Sequence, residues 1–386
     1  MLPRIQEVYG VGYAVVSLIF VFACVGFITG AVSNVILAER LGFGKVMVLG
    51  ASYKCRGLCQ FLNSCTPGSV CQVVAYCIES SGPPFPAFIF AYFINGIGLA
   101  LQNANSVAYV ASIKENAELK MGLFMAAYAA GALSSPLVAT QFAQLPRWNF
   151  HYFTSLGIAI SNTIALIIVF RFKRQRECLA EIGIVTADNS TSEHSHLRQI
   201  FMNKDVHLLA AFTLFYVGVE VSIGGWIVTY IIDARGGGPS SGYISTGFFG
   251  GLMVGRLALL WVNEKIGERL AMSIYAVLTI ILELVVWFVP SLVGDAVAVS
   301  IIGVLLGPMY PIAMNHAGRV LPPWLLTGAI GWIAGVGQAG SALVPFMVGA
   351  IAQNSGIKTL QPVLVGILGL MTAIWVLASR GSRRSD

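Results

Sequence analysis

Three charged side chains stand inside long apolar runs: Glu220, Arg256 and Glu283. Within lipid a charged group is costly, and it marks a solute pathway, a proton relay or a buried pair. Glu220 lies 13 residues beyond His207, about 20 Å along a helix that rises 1.5 Å per residue, and therefore near mid-membrane. Arg256 falls toward the cytoplasmic end of the next run, within side-chain reach of Glu220. Two roles are open for the pair: Glu220 facing a cavity as a proton site or solute ligand, or a purely structural contact. Glu283 has no evident partner and lies near the outer end of its run.

Amide and aromatic side chains form a second set. Asn95, Gln102, Asn103 and Asn105 share one run, Trp226 and Tyr230 follow Glu220, and Tyr128, Tyr310, Asn315, Trp332 and Gln338 are spread over others. They offer directional hydrogen bonds and stacking faces without permanent charge, which suits a hydroxyl-rich solute. Hydrogen bonds between helices, or a belt at the membrane surface, are the competing reading of each residue.

The elements that must hold these groups are membrane-spanning helices. The 386 residues are 56% hydrophobic and only 10% charged, against roughly 25% charged in a soluble domain. Apolar segments of spanning length, about 20 residues, run at 11–37, 86–112, 121–143, 148–170, 207–232, 242–262, 270–290, 294–316, 324–352 and 360–379. An interrupted one covers 45–81, which makes eleven. The spacing predicts an N-terminal bundle over 1–170, a cytoplasmic linker over 171–206, a C-terminal six-helix bundle over 207–380 and a cytoplasmic tail over 381–386. With the loop at 38–45 inside, the outer segments hold only Arg4, Arg147, Arg235 and Lys358 of the Lys and Arg residues, a strong positive-inside bias. The sequon at Asn189 then lies inside, where no glycan is expected.

The chain repeats itself. AERLGFGK (38–45) is answered by NEKIGER at an offset of 225, with Gly30 and Gly255 each nine residues before the acid. A second match pairs Gly122 with Gly328 and Gly131 with Gly337 at an offset of 206. Two such halves are the organisation of repeat-built transporters. The loop residues Glu39, Arg40, Lys45, Glu264, Lys265 and Arg269 are candidate gates that lock helix ends, with an ordinary solvated loop as the alternative. The drop in offset points to an insert at 53–71, which brings Lys54, Arg56 and four cysteines into a span. The cysteine spacing matches no common zinc pattern, so no metal site is expected. Cys24, Cys77 and Cys178 read as structural.

The chain contains no Walker loop, dinucleotide fingerprint, HExxH or GxSxG, so ATP-driven pumping and membrane hydrolysis lose support. The basic residues form no nucleic-acid patch. No cofactor and no enzymatic activity are expected.

The loop VILAERLGFGK resembles the G-x-L-a-D-R-x-G-R-K pattern of the major facilitator superfamily. FYVGVEVSIGGWIVTYI, GLMVGRLALLWVNEKIGER and GVLLGPMYP are similar to its fucose-permease-like group, in particular to fungal members of the bypass-of-stop-codon type. The resemblance implies an all-α fold of two six-helix bundles, a central site, alternating access, a small polar and sugar-like solute, a proton as coupling ion, and a monomer. It implies the plasma membrane as default, with a vacuolar or other internal membrane open. Three departures accompany it. MLPRIQEVYGVG reads as the loop after a first helix that is missing here, Gln102 stands where bacterial sugar symporters carry a helix-four acid, and the third helix holds the insert. These departures keep two alternatives alive: a non-transporting sensor or scaffold on the same fold, and a non-functional truncated product.

Overall fold

The computed structural model describes residues 1–41, 67–112, 117–170, 199–200 and 202–381. Lys45, residues 53–66, the sequon, Cys178 and most of the linker fall outside the described residues.

The described chain is helical throughout. In order come α1 (Leu2–Tyr9), α2 (Tyr13–Val16), α3 (Leu18–Leu41), α4 (Pro67–Ser80), α5 (Phe85–Ser112), α6 (Ala117–Ala143) and α7 (His151–Phe170). They are followed by α8 (Lys204–Arg235), α9 (Gly242–Ala258), α10 (Leu260–Ile266), α11 (Glu268–Phe288) and α12 (Leu292–Leu306). The last three are α13 (Met309–Val320), α14 (Pro323–Ser355) and α15 (Leu360–Gly381). Among the described residues eight segments are long and apolar enough to cross a membrane, so the protein is an integral, multi-pass membrane protein. Helices α4, α6 and α9 occupy three further predicted spans. The N-terminal stretch that reads as a loop is instead the helix α1, closed by Gly10 in the left-handed region at φ 61°.

Helix α8 shows how local chemistry sets an element. Asn203 caps its start, the side-chain oxygen accepting from the backbone N–H of Asp205 at 2.9 Å and of Val206 at 3.4 Å. Such caps satisfy donors that no helical turn can reach. Gly236 at φ 70° ends the helix, and the N–H of Gly237 returns to the carbonyl of Ile231 at 2.9 Å, the arrangement that glycine makes inexpensive.

Prolines do not all break helices. Gly307 and Pro308 separate α12 from α13, but α6 runs through Pro136 and α14 through Pro345. The prolines' own carbonyls take side-chain donors: the Thr140 hydroxyl bonds to the Pro136 carbonyl at 2.6 Å, and the indole of Trp226 to the Pro345 carbonyl at 3.0 Å.

The chain divides into two compact units. One comprises Leu18–Met125 with Leu145–Asn189, the other Met1–Ser17, Ala126–Gln144 and Ser190–Asp386. The first unit is centred on α3 against α5. Cβ atoms built on Gly26 and Gly30 would stand 2.1 and 2.7 Å from the carbonyl oxygens of Phe93 and Ile97, and one on Gly96 would stand 2.2 Å from that of Ala23. The second unit repeats the contact between α9 and α12. There Gly251 and Gly255 face the carbonyls of Ser300 and Val304 at 2.2 and 2.0 Å, and Gly303 faces that of Phe248 at 2.2 Å. Gly26 and Gly251, like Gly30 and Gly255, are 225 residues apart, while Gly96 and Gly303 are 207 apart. The offset therefore changes between α3 and α5, the interval containing residues 53–71. Of that stretch residues 67–71 begin α4, with Gly68 against the carbonyl of Gly98.

A Gly→Ala change in an exposed helix gains roughly 1 kcal/mol of propensity, whereas a Cβ driven into a neighbouring backbone costs roughly 1–3 kcal/mol or more. Gly255→Ala and Gly26→Ala are therefore expected to lower the melting midpoint in detergent. Gly331→Ala, whose Cβ meets nothing within 4 Å, should leave it unchanged or raise it. Equal midpoints for all three would show that the close approach is not needed.

Candidate functional site

Glu220 is four residues after Tyr216 on α8, so the two side chains share one helix face. Tyr216 is 1% exposed. Its hydroxyl donates to the carbonyl of Leu306 at 3.2 Å and lies in hydrogen-bonding reach of both Glu220 and Arg256. Arg256 comes from the last turn of α9 and faces Glu220, Tyr216 and Tyr128 electrostatically. Its Nε is buried without a hydrogen-bond partner. Tyr310, at the start of α13, packs its ring against Tyr216 at 6.0 Å between centroids and lies in the field of Glu220 and Arg256. Tyr128 on α6 joins the same group with 61% of its surface exposed. Glu220 and Arg256 themselves are half-buried. The result is a carboxylate and a guanidinium among three phenol hydroxyls, within one unit, with Tyr128 exposed at its edge.

The structure places other predicted residues elsewhere. Trp226 is fully buried, its indole bonded to Pro345 and its ring edge-on to Tyr13 at 6.0 Å. Tyr230 is buried and donates to the carbonyl of Val286 at 3.4 Å. Both have their polar atoms engaged with backbone carbonyls rather than with the Glu220 group. Asn315 donates to Glu268 at 3.1 Å, at the end of the unit that carries the NEKIGER loop. Gln338 bonds within its own helix to Ser341. In the other unit Gln102 is half-buried and accepts from Asn162 at 3.5 Å, while its Nε2 has no partner. Asn103 is exposed and Asn105 lies on α5.

Among the predicted gates, Glu39 and Arg40 lie in the last turns of α3. In the second loop Gly267 takes φ 82° between α10 and α11, a conformation that favours glycine. Lys265 sits 3.8 Å over the ring of Trp261 rather than against Glu264, which is exposed. The carbonyl of Arg269 accepts from Trp375 at 3.5 Å. The ion pair at this loop is made by Glu268 and Arg319, neither of which stood among the predicted site residues.

A second charged cluster was not anticipated. Arg235, the last residue of α8, donates from Nε to Asp295 at 3.1 Å and from a terminal nitrogen to the carbonyls of Val286 and Trp287. One guanidinium thus satisfies the frayed C-terminus of α11 and the first-turn acid of α12, where the helix dipole also favours an anion. The signal was present in the sequence, since Arg235 and Asp295 are the charges flanking two predicted outer loops. In the other unit Glu79 on α4 is fully buried, and neither carboxylate oxygen has a hydrogen-bond partner. Among the described residues no group of three or more His, Cys, Asp or Glu side chains could hold a metal ion, and Cys71 and Cys77 are free thiols.

A family model described as Major Facilitator Superfamily matches residues 1–345. The chain is 24% identical over 403 residues to "Bypass of stop codon protein 6" of Saccharomyces cerevisiae, covering 98% of this chain and 78% of the relative. Two solved structures share the fold. A D-xylose-proton symporter aligns with TM-score 0.71 at 11% identity over 94% of this chain and 87% of its own. The transporter FucP in its outward conformation aligns with TM-score 0.64 at 14% identity over 97% and 93%.

Arg235→Ala would leave Asp295 buried without its cation and two carbonyls without donors. Breaking a buried pair in this way costs about 3–5 kcal/mol. Glu268→Ala removes a pair whose arginine is 63% exposed, and exposed pairs contribute about 0–1 kcal/mol. The melting midpoint in detergent should therefore fall far more for Arg235→Ala than for Glu268→Ala. The reverse order would contradict the assignment of the clamp to Arg235.

Proposed function

The chain belongs to the Major Facilitator Superfamily, and we propose that it is a secondary transporter that carries a small polar, sugar-like solute by alternating access, coupled to protons. The plasma membrane is the proposed location, and the monomer the working unit. The observation that carries the reading is the Glu220–Arg256 group with Tyr128, Tyr216 and Tyr310 around it.

Hydroxyls, a carboxylate and a guanidinium are the groups that bind vicinal hydroxyls: the acid accepts, the guanidinium donates in a fixed fork, and a phenol does either. Tyrosine rings add flat apolar area for the C–H face of a pyranose ring. Hydrogen bonds to charged groups contribute about 1.5–3 kcal/mol each, enough to orient a neutral solute among competitors of similar size. The same carboxylate can take up a proton, and a proton arriving there would weaken its hold on Arg256. Binding of solute and proton would thereby be linked through one side chain. The relatedness to a D-xylose-proton symporter in fold accords with this choice of solute and ion.

Uptake into proteoliposomes with a panel of labelled monosaccharides, with and without an inward proton gradient, tests the proposal. Accumulation above equilibrium is expected for the wild type. Glu220→Gln should abolish accumulation while leaving downhill exchange, and Tyr310→Ala should raise KM about tenfold, the equivalent of about 1.4 kcal/mol. Unchanged accumulation and unchanged pH dependence in Glu220→Gln would remove Glu220 as the coupling group. Solute binding without flux in the wild type would replace transport by a sensor role.

A further inference from the structure

Glu283 on α11 and Asp295 on α12 are each 1% exposed, in the unit that also holds Arg235. Between them they bring two carboxyl groups, while the local cation is a single guanidinium. That guanidinium is already engaged, with Nε on Asp295 at 3.1 Å and a terminal nitrogen on the carbonyls of Val286 and Trp287. Glu283 Oε2 is buried with no hydrogen-bond partner. The charge of Asp295 reaches Glu283, and Tyr230 shares the field of both acids and of Arg235.

The groups that face Glu283 can be followed helix by helix. Helix α8 brings Tyr230 and Arg235, and α12 brings Asp295. The one charged residue on α15 is Arg380, at its opposite end. On α13, Arg319 pairs with Glu268 and His316 lies in the field of Arg269 and Arg319, both at the start of α11, away from Glu283. Helix α10 ends in Glu264 and Lys265, next to that same start. Among the described residues no second cation is left to balance Glu283. An ionised carboxylate there would be buried, unpartnered and beside another negative charge, three penalties of one sign. One proton removes the charge, and with it both the cost of burying an anion and the repulsion from Asp295.

We propose that Glu283 is a proton-binding site, its carboxyl carrying one exchangeable proton beside the Arg235–Asp295 pair. The site is separate from Glu220, and its existence does not depend on what solute the protein moves. Asp295 is the positioning residue: by occupying Arg235 it denies Glu283 a counter-ion.

Infrared spectroscopy of the purified protein in lipid, at neutral pH, tests this without any transport measurement. The wild type is expected to show a protonated-carboxyl C=O band of Glu283, distinct from any band of the buried Glu79, that is missing from Glu283→Gln and retained in Glu220→Gln and Glu79→Gln. The melting midpoint of Glu283→Gln should be unchanged, because a neutral amide stands in for a neutral acid. Asp295→Asn provides the independent variant: with Arg235 released, Glu283 should ionise onto it and the band should disappear. A band undiminished in Glu283→Gln overturns the proposal. If that variant does not fold, a band that survives unchanged in Asp295→Asn overturns it. Failure of proton-coupled uptake with the band still lost in Glu283→Gln would refute the transport reading and leave this site standing.

Discussion

Everything in this protein that orients a polar group rests on helices meeting at backbone distance. Lipid tails are as apolar as leucine, so helices in a membrane gain nothing from hiding hydrophobic side chains from one another. Close van der Waals contact must hold them, and contact is closest where a glycine removes the Cβ. In the unit built on α9 and α12, Gly251 and Gly255 lie against the carbonyls of Ser300 and Val304, and a Cβ on Gly307 would stand 2.6 Å from the carbonyl of Leu252 and 2.9 Å from the backbone nitrogen of Arg256. The contact thus fixes the backbone at Arg256 itself. One residue before Gly307, the carbonyl of Leu306 receives the Tyr216 hydroxyl. The position of the guanidinium and that of the tyrosine beside Glu220 both descend from the same helix crossing.

The two charged clusters of this unit show opposite solutions to one constraint. At Glu220 the carboxylate has a guanidinium and phenols around it, and part of the group is accessible. At Glu283 the guanidinium is spent on Asp295 and on the end of α11. A membrane interior tolerates charge when it is paired and hydrogen-bonded, and penalises it otherwise. The first arrangement is suited to exchange partners with a solute, because Tyr216 stands within reach of both charges and Arg256 Nε has no partner to give up. The second holds three helix ends together, and its stability depends on the net charge of the trio.

Much of this was legible in the sequence, for identifiable reasons. Spans follow from the length of apolar runs, since lipid thickness fixes the number of residues needed. Glu220 and Arg256 could be joined because both are charges within spans, and helical rise converts residue number into depth. Tyr216 was missed although it stands one helical turn before Glu220, a spacing that sequence displays directly. Arg235 and Asp295 were missed because they lie at span ends, where charge is cheap in water and only packing reveals that these ends are buried. Trp226, Tyr230 and Asn315 were legible as polar groups within spans but not as to partner. The indole N–H that meets a sugar is chemically the same as one that meets the Pro345 carbonyl, and residue type does not distinguish them. The N-terminal helix α1 was hidden by its Pro, Gly and charged residues, which read as loop until their neighbours are known.

The glycine repeat and the distribution of charge then separate scaffold from chemistry. Gly26, Gly30 and Gly96 in one unit correspond to Gly251, Gly255 and Gly303 in the other, contact for contact. The polar groups do not correspond. Where α9 carries Arg256 directly after Gly255, α3 carries Ala31 after Gly30. Around α5 the polar neighbours are amides, a phenol and a buried acid, with Asn162 on Gln102 and Asn95 and Glu79 beside Tyr76. A contact made through backbone carbonyls constrains glycine positions in both halves but leaves the adjoining side chains free to diverge. The half built on α9 and α12 can then carry ion pairs that the described residues of the other half do not repeat. The repeated backbone supplies the geometry, and the unrepeated side chains supply the chemistry.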